Sequence, residues 1–317
     1  MIFFLSLFVG AYHIPPWQIV EIIFDKIASP HLSFTEQSIL FDIRIPRIIL
    51  ALITGCALSV ASACFQGAFR NPLVSEYILG VSAGAAFGAS LSIAFLGGLF
   101  PVQPAAFLGA VIAVIMTYYI AKVKGETSTI SLVLAGIITT AVFTGGSYII
   151  RYFAEPERLH VLIVWLMGSF ANASWDDVIQ SAPIVIAGTT LLFILRWRLN
   201  ILSMGDEDAK TLGMDVEKMR LVFIGTSSLV TAATVCLVGI IGWVGLMVPH
   251  IVRMLIGSDN RKVIPVSAAL GATLMVAADN LVRMSSGIEL PVGVLTTMVG
   301  APFFAYLVRK NKGSLWG

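Results

Sequence analysis

Between Arg47 and Arg70 the chain reads IILALITGCALSVASACFQGAF and carries no charge at all. A helix of that length, rising about 1.5 Å per residue, crosses the roughly 30 Å of hydrocarbon in a bilayer. Comparable apolar runs fall near 1–11, 48–68, 78–99, 102–121, 129–150, 178–195, 221–240, 240–256, 263–282 and 290–308, separated by Gly, Pro and charged residues. With 57% hydrophobic and 12% charged residues, against roughly a quarter charged in soluble domains, the chain is an all-α, polytopic membrane protein. About ten transmembrane helices and short loops fill 1–317 as a single transmembrane domain, which leaves no room for a large soluble one. The GWVGLMVPH punctuation separates the seventh run from the eighth.

The first run reaches only about half the hydrocarbon thickness, so the first helix reads as truncated. MIFFLSLFVG has no basic leading region and no small-residue cleavage site, which argues against a signal peptide. The broken segment 155–177, EPERLHVLIVWLMGSFANASWDD, reads as a short interfacial helix. With an inside N-terminus, the inner loops carry Arg70, Lys122, Lys124, Arg196, Arg198, Lys210, Lys218, Arg220, Arg253, Arg261, Lys262, Arg309, Lys310 and Lys312. The outer side carries Lys26, Arg44, Arg47, Arg151, Arg158 and Arg283. This excess satisfies the positive-inside rule and puts both termini in the cytoplasm. It also leaves Arg44, Arg47 and Arg283 facing outward.

Asp279 is the one acid expected within an apolar segment. It stands four residues before Arg283, the spacing at which helical side chains meet, so a local ion pair is expected near the outer end. The nearly blank spans do not suit a proton-coupled carrier, which keeps ionisable groups at mid-membrane. No GxxxxGK[ST] loop, HExxH or paired-carboxylate motif is present, so energy for active transport must come from another chain. Cys56, Cys64 and Cys236 lie in apolar runs, and the four histidines are scattered, so no metal-ligand set is expected. His250 reads as structural, and Glu289 as an acid capping the last helix.

The most polar continuous stretch is the inner loop 196–220, RWRLNILSMGDEDAKTLGMDVEKMR. Gly205 followed by Asp206, Glu207 and Asp208 suits a helix start, and Gly213 a helix stop. The expectation is a short helix, a turn at LGM and a second short helix, DVEKMR, together forming a docking surface for a partner.

Taken in order, RIPR (44–47), FQGAFRNPLVSEYILGVSAGA (65–85), WLMGSF (165–170), GDEDAKTLG (205–213), GWVGLMVPHIVRMLIGSDNR (242–261), ADNLVR (278–283) and ELPVGVLTTMVGAPFF (289–304) resemble the permease subunits of ABC importers for iron-siderophores, haem and cobalamin. The likeness covers about 40–310, and the first span falls short of the family pattern. It implies a homodimer of ten-helix subunits in the cytoplasmic (inner) membrane, with the pathway on the two-fold axis. Two ATPase subunits and a periplasmic or lipid-anchored substrate-binding protein complete the assembly; no nucleic-acid partner is implied.

The same resemblance makes Arg44, Arg47 and Arg283 the outer docking site for acidic side chains of the binding protein, with Pro46 helping to start the span and hold both neighbouring heads above the membrane. It makes Gly205, Asp206, Glu207, Ala209, Leu212 and Gly213 the ATPase-coupling surface. Gln66, Asn71, Pro72 and Gly84 are pathway or gate candidates, although Asn-Pro is equally a good helix start after a turn. No cofactor is expected on this chain, ATP-Mg belonging to the partner ATPase. The cargo expected first is a ferric siderophore, with haem, cobalamin and oxyanions such as molybdate as further members of the class. The rivals are a proton-coupled secondary transporter, which needs buried acids beyond Asp279, and a membrane-embedded enzyme, which needs a catalytic constellation.

Overall fold

Pro46 has no N–H and its ring crowds the carbonyl four residues back, which ordinarily ends or kinks a helix. In the computed structural model the helix nevertheless runs on through it, as one 35-residue segment, Thr35–Phe69. The turns just ahead of the proline, Ile39–Arg44, widen into π-helix, the local adjustment that accommodates such an interruption. The structure describes residues 2–10, 12, 14–28, 34–97, 99–123, 126–284 and 290–310. Pro46 therefore stands in the first turn of the regular α-helical part, on a helix that already runs from Thr35.

The described elements are α1 (Ile2–Leu7), α2 (Pro16–Ala28), α3 (Phe34–Ser38), α4 (Ile45–Phe69), α5 (Val81–Leu91, prolonged by a π turn to Leu96), α6 (Val102–Ala121), β1 (Lys122–Val123), β2 (Glu126–Thr127), α7 (Thr129–Phe153), α8 (Pro156–Leu166), α9 (Trp175–Met204), α10 (Asp206–Thr211), α11 (Val216–Val238), α12 (Val244–Ile256), α13 (Asn260–Met284) and α14 (Val292–Lys310). β1 and β2, two residues each, pair antiparallel; among the described residues everything else regular is helical. Among the described residues six helices are long and apolar enough to cross a membrane, and Val81–Leu96, Val244–Ile256 and Val292–Tyr306 are shorter apolar helices. At about 1.5 Å per residue the 13 residues of α12 rise about 20 Å. The sequence pattern shows where these segments lie but not that each spans the full thickness.

Helix α4 is the axis of the bundle. Its most apolar window is 78% buried, against 28% for α7 and 22% for α9. Contact with α13 is so close that a Cβ on Gly55 would collide with the Gly271 carbonyl, and a Cβ on Gly271 with Ser59. Small residues permit this backbone approach in apolar surroundings, where dispersion contacts rather than water exclusion hold helices together. Thr54, Ser59 and Ser62 are buried along the same helix. By contrast α7 presents Ile130, Leu134, Ile137, Tyr148 and Tyr152 outward, an apolar face suited to lipid or to another copy.

Two boundaries differ from the sequence pattern for identifiable reasons. Residues 196–204 belong to α9, because nothing in RWRLNIL breaks a helix before Gly205. DVEKMR is the opening of α11 rather than a separate helix: Asp215 caps it by accepting from the Lys218 N–H at 3.0 Å. Helix α2 was not anticipated; Pro16 at its first turn is the signal for it. The expected helix cap Glu289 lies outside the described residues.

Replacing Gly55 with valine should lower the thermal midpoint of the detergent-solubilised protein, as overpacking by about 1–3 kcal/mol would. The same change at Gly225, where nothing lies within 4 Å, should have little effect.

Candidate functional site

Three regions concentrate polar chemistry: the N-terminal end of α4, expected from the charge distribution to be the outer end, the buried middle, and the opposite end around α10, expected to be the inner one. At the outer end, the Arg47 guanidinium donates to Asp279 Oδ1 through Nη2 (2.9 Å) and Nε (3.0 Å), while Arg283 Nε lies 3.1 Å from Asp279 Oδ2. The exposures are 5% for each arginine side chain and 1% for the aspartate. Arg44 is equally enclosed, donating from Nη1 to the Leu7 carbonyl at 2.6 Å and from Nη2 to the Tyr12 carbonyl. Asn280 and Ser6 complete the cluster, which fastens α1, α4 and α13 together.

The expected Asp279–Arg283 pair is therefore present, with Arg47 as a second cation. The expected exposed triad is not: all three arginines face inward, and their heads meet one carboxylate, main-chain carbonyls and the side chains of Ser6 and Asn280. The i, i+4 spacing made Asp279–Arg283 legible, but Arg47 lies 232 residues from Asp279 and no local pattern joins them.

The middle is built on chain breaks. Helix α4 closes with Arg70 in the left-handed conformation (φ 52°), its N–H bonded to the Gln66 and Gly67 carbonyls, as in a Schellman-type cap. Asn71 Oδ1 then accepts from the Leu73 N–H at 2.9 Å, an Asx turn. Helix α5 starts only at Val81, so Asn71-Pro72 shapes a non-helical link rather than starting a helix. Inside that link Glu76 is fully buried. Ser62 donates to its Oε2, Oε1 has no hydrogen-bond partner among the described residues, and Gly245 leaves no room for a Cβ beside it.

Burial raises the Glu76 carboxyl from 4.5 to about 7, against the opposing pull of the Ser62 hydrogen bond. Burial, then the neighbouring Glu76 charge, pushes the Tyr77 phenol well up. Glu76 is a buried acid that the sequence reading placed in a loop; its ordinary surroundings, NPLVSEY, hold no signal of burial.

A second break joins α11 to α12. Gly168 and Gly239 adopt left-handed φ values (69° and 74°), and a Cβ on either would strike the Ile240 or Trp165 carbonyl. Ser169 N–H bonds the Val238 carbonyl at 2.8 Å and Gly293 N–H bonds the Gly168 carbonyl at 3.1 Å, so the end of α8, the break and the start of α14 are stitched backbone to backbone. On one side of α8 a cavity of about 440 Å³ is lined by Tyr77, Met167, Gly242 and Thr297. On the other, one of about 510 Å³ is lined by Gln103, His160, Trp165, Ser169 and Asn172.

At the inner end α10 follows Gly205, whose φ of 134° and ψ of 159° favour a residue without Cβ. Glu207, Leu212 and Gly213 are exposed, Ala209 is buried, and Asp206 turns inward. There Arg220 Nη2 donates to both Asp206 oxygens at 2.7 and 2.8 Å, and Arg70 Nη2 reaches Oδ1 at 3.3 Å. Of the expected coupling residues, Glu207, Leu212 and Gly213 thus share an exposed surface, Gly205 is the joint, Asp206 turns toward Arg220 while staying partly open to solvent, and Ala209 belongs to the interior.

The FecCD transport family model matches residues 1–310 of the chain. The chain belongs to that family. Among its relatives, a cobalamin import system permease protein of Halobacterium salinarum is 40% identical over 94% of this chain and 80% of its own. A molybdate import system permease protein of Haemophilus influenzae is 34% identical over 97% and 92%. A solved structure described as an inward-facing metal-chelate type ABC transporter superposes with a TM-score of 0.86 at 34% identity, covering 98% of this chain and 95% of that one.

Within this FecCD-family bundle the pathway candidates separate. Gln66 is buried and accepts from Arg253 Nε at 3.5 Å. Arg253 also reaches Asn260 Oδ1 at 3.0 Å, so Gln66 belongs to a polar tie between α4, α12 and α13. Gly84 packs on the Gly109 carbonyl of α6, a helix contact rather than a cavity wall. Among the described residues no group of three His, Cys, Asp or Glu could hold a metal ion.

Two outcomes follow. Asp279→Ala strands Arg47 and Arg283 without their shared anion, and should cost about 3–5 kcal/mol of stability, read by denaturant unfolding in detergent. For Glu76 the folded carboxyl holds a proton that the unfolded chain gives up near pH 4.5. Stability should therefore be fullest below that pH and fall as pH rises through about 7. Glu76→Gln should flatten this slope in thermal melts.

Proposed function

We propose that the chain is the permease subunit of an ATP-driven importer for a metal chelate, acting as a homodimer in the cytoplasmic membrane with both termini inside. The observation that carries the reading is the superposition, over almost the whole of both chains, on a metal-chelate type ABC transporter. The chain itself supplies no nucleotide motif, so a separate ATPase must bring ATP-Mg, and the exposed face of α10 (Glu207, Leu212, Gly213) suits the contact. A binding protein on the outer side would deliver the cargo. With the three arginines enclosed, its footing is better sought on exposed groups such as Trp17 and Glu157 than on their heads.

Passage would run beside α8 and α14, where non-helical backbone lines the 440 Å³ cavity. Main chain outside a helix is tolerated at membrane depth where protein or an aqueous cavity satisfies it. A ferric siderophore is the cargo to test first, with haem, cobalamin and molybdate as the other members of the class. A proton-coupled carrier would need a relay. Glu76 has one serine hydroxyl as its hydrogen-bond partner among the described residues.

Purification in mild detergent should bring down an ATPase, and reconstituted uptake should require ATP and withstand a protonophore. Leu212→Asp should release the ATPase by at least about tenfold in affinity, as expected when an exposed apolar contact is replaced by an unpaired charge. ATP-independent uptake collapsed by the protonophore would favour the carrier.

A further inference from the structure

The side-chain bonds of α10 do not run to the helix it follows in sequence. Gly205 joins it to α9 with no side chain, in a conformation few other residues adopt. Its first residue, by contrast, is held on two sides. Asp206 accepts at both of its oxygens from one nitrogen of Arg220 of α11, Nη2, at 2.7 and 2.8 Å, and takes a third hydrogen bond from Arg70, the residue that closes α4. Arg220 is 3% exposed, and its Nη1 donates to the Thr127 carbonyl at 2.6 Å. One turn earlier on α11, Glu217 accepts from Thr127 N–H and Oγ1, each at 2.7 Å. A single carboxylate thus connects α10 to α4, to α11 and, through Arg220, to the β1–β2 pair that leads into α7.

We propose that Asp206 is a positioning residue that gears α10 to α4 and α11, so that a displacement of α10 by the ATPase enters the bundle through these two helices. The proposal rests on the reading that the exposed face of α10 meets the ATPase. Ionised hydrogen bonds of this geometry are among the stronger and more directional contacts available to a helix end. Helix α4 then carries the displacement outward. Arg70 stands at its inner end and Arg47 near its outer end, about 35 Å away at 1.5 Å per residue, where Arg47 grips Asp279 of α13. One stiff helix therefore has a charged tie at each end, and both ties lie on elements that no local sequence pattern connects. The end of α9 is tied to the same helix, Ser203 Oγ donating to the Gly67 carbonyl of α4 at 3.1 Å.

The test uses the full permease reconstituted in liposomes with its ATPase and its binding protein, and reads the stimulation of ATP hydrolysis by the binding protein, which needs no knowledge of the cargo. Asp206→Asn keeps the shape and removes the charge. It should still co-purify with the ATPase while stimulation drops about tenfold, and Asp206→Glu should recover most of it, as expected when a charge-assisted contact is lost and rebuilt. Should Asp206→Asn fail to fold, the half-exposed Arg70→Gln tests the same tie, with a loss of about threefold for one hydrogen bond of three. Full stimulation in Asp206→Asn overturns the gearing, as does loss of ATPase binding, which would put the carboxylate in the docking face itself. If Leu212→Asp also keeps its ATPase, the docking-face reading falls and the gearing with it; if only the Asp206 variants are silent, the gearing alone falls.

Discussion

Every main-chain N–H and C=O in an apolar medium must find its partner within the protein, and this requirement organises the whole molecule. Helices meet it internally. Where the chain leaves a helix, the structure tucks the open backbone against other backbone: 238–243 against the ends of α8 and the start of α14, and 70–80 between α4 and α12, where Ser62, Glu76 and Gly245 meet. Glycines at 168, 239 and 293 are present because these approaches leave no volume for a Cβ. The two cavities flanking α8 are what remains around such stitched breaks. The feature most suggestive of passage thus arises from the same constraint as the fold.

Charge follows a related economy. Arg47, Asp279 and Arg283 are buried as a group, and Arg44 is consumed by carbonyls of the N-terminal segment. Buried ions of this kind add little net stability but make loss of any one partner severe. They therefore define the relative positions of α1, α4 and α13 more than they strengthen the bundle. The inner cluster is built alike, except that Asp206 remains partly open to solvent. Fixed at the outer end and accessible at the inner one, the two clusters suit different duties on one molecule.

Much of this was legible from residues alone. Uncharged runs show where helices lie because a span must be apolar along its length, and the order of motifs identifies the family. Spacing alone placed Asp279 against Arg283. What escaped was whatever depends on partners distant in sequence. The apposition of Arg47 and Asp279, the inward turn of Asp206 toward Arg220, and the burial of Glu76 have no periodic signature. An arginine beside an apolar run looks the same whether it ends in water or against a carboxylate 232 residues away. The continuation of the helix through Pro46 was hidden for another reason, since a π turn leaves no distinctive composition.

Helix α4 combines the highest mean hydropathy of the six candidate spans, 2.3, with the deepest enclosure, 78%. Its greasiness is therefore scarcely displayed to lipid in the finished protein. That property matters earlier, when the segment must partition into the bilayer during synthesis, before α11 and α13 exist to surround it. The hydroxyls of Thr54, Ser59 and Ser62 are a load carried through that solitary stage. The sequence of α4 thus answers to two environments in succession, lipid first and protein afterwards.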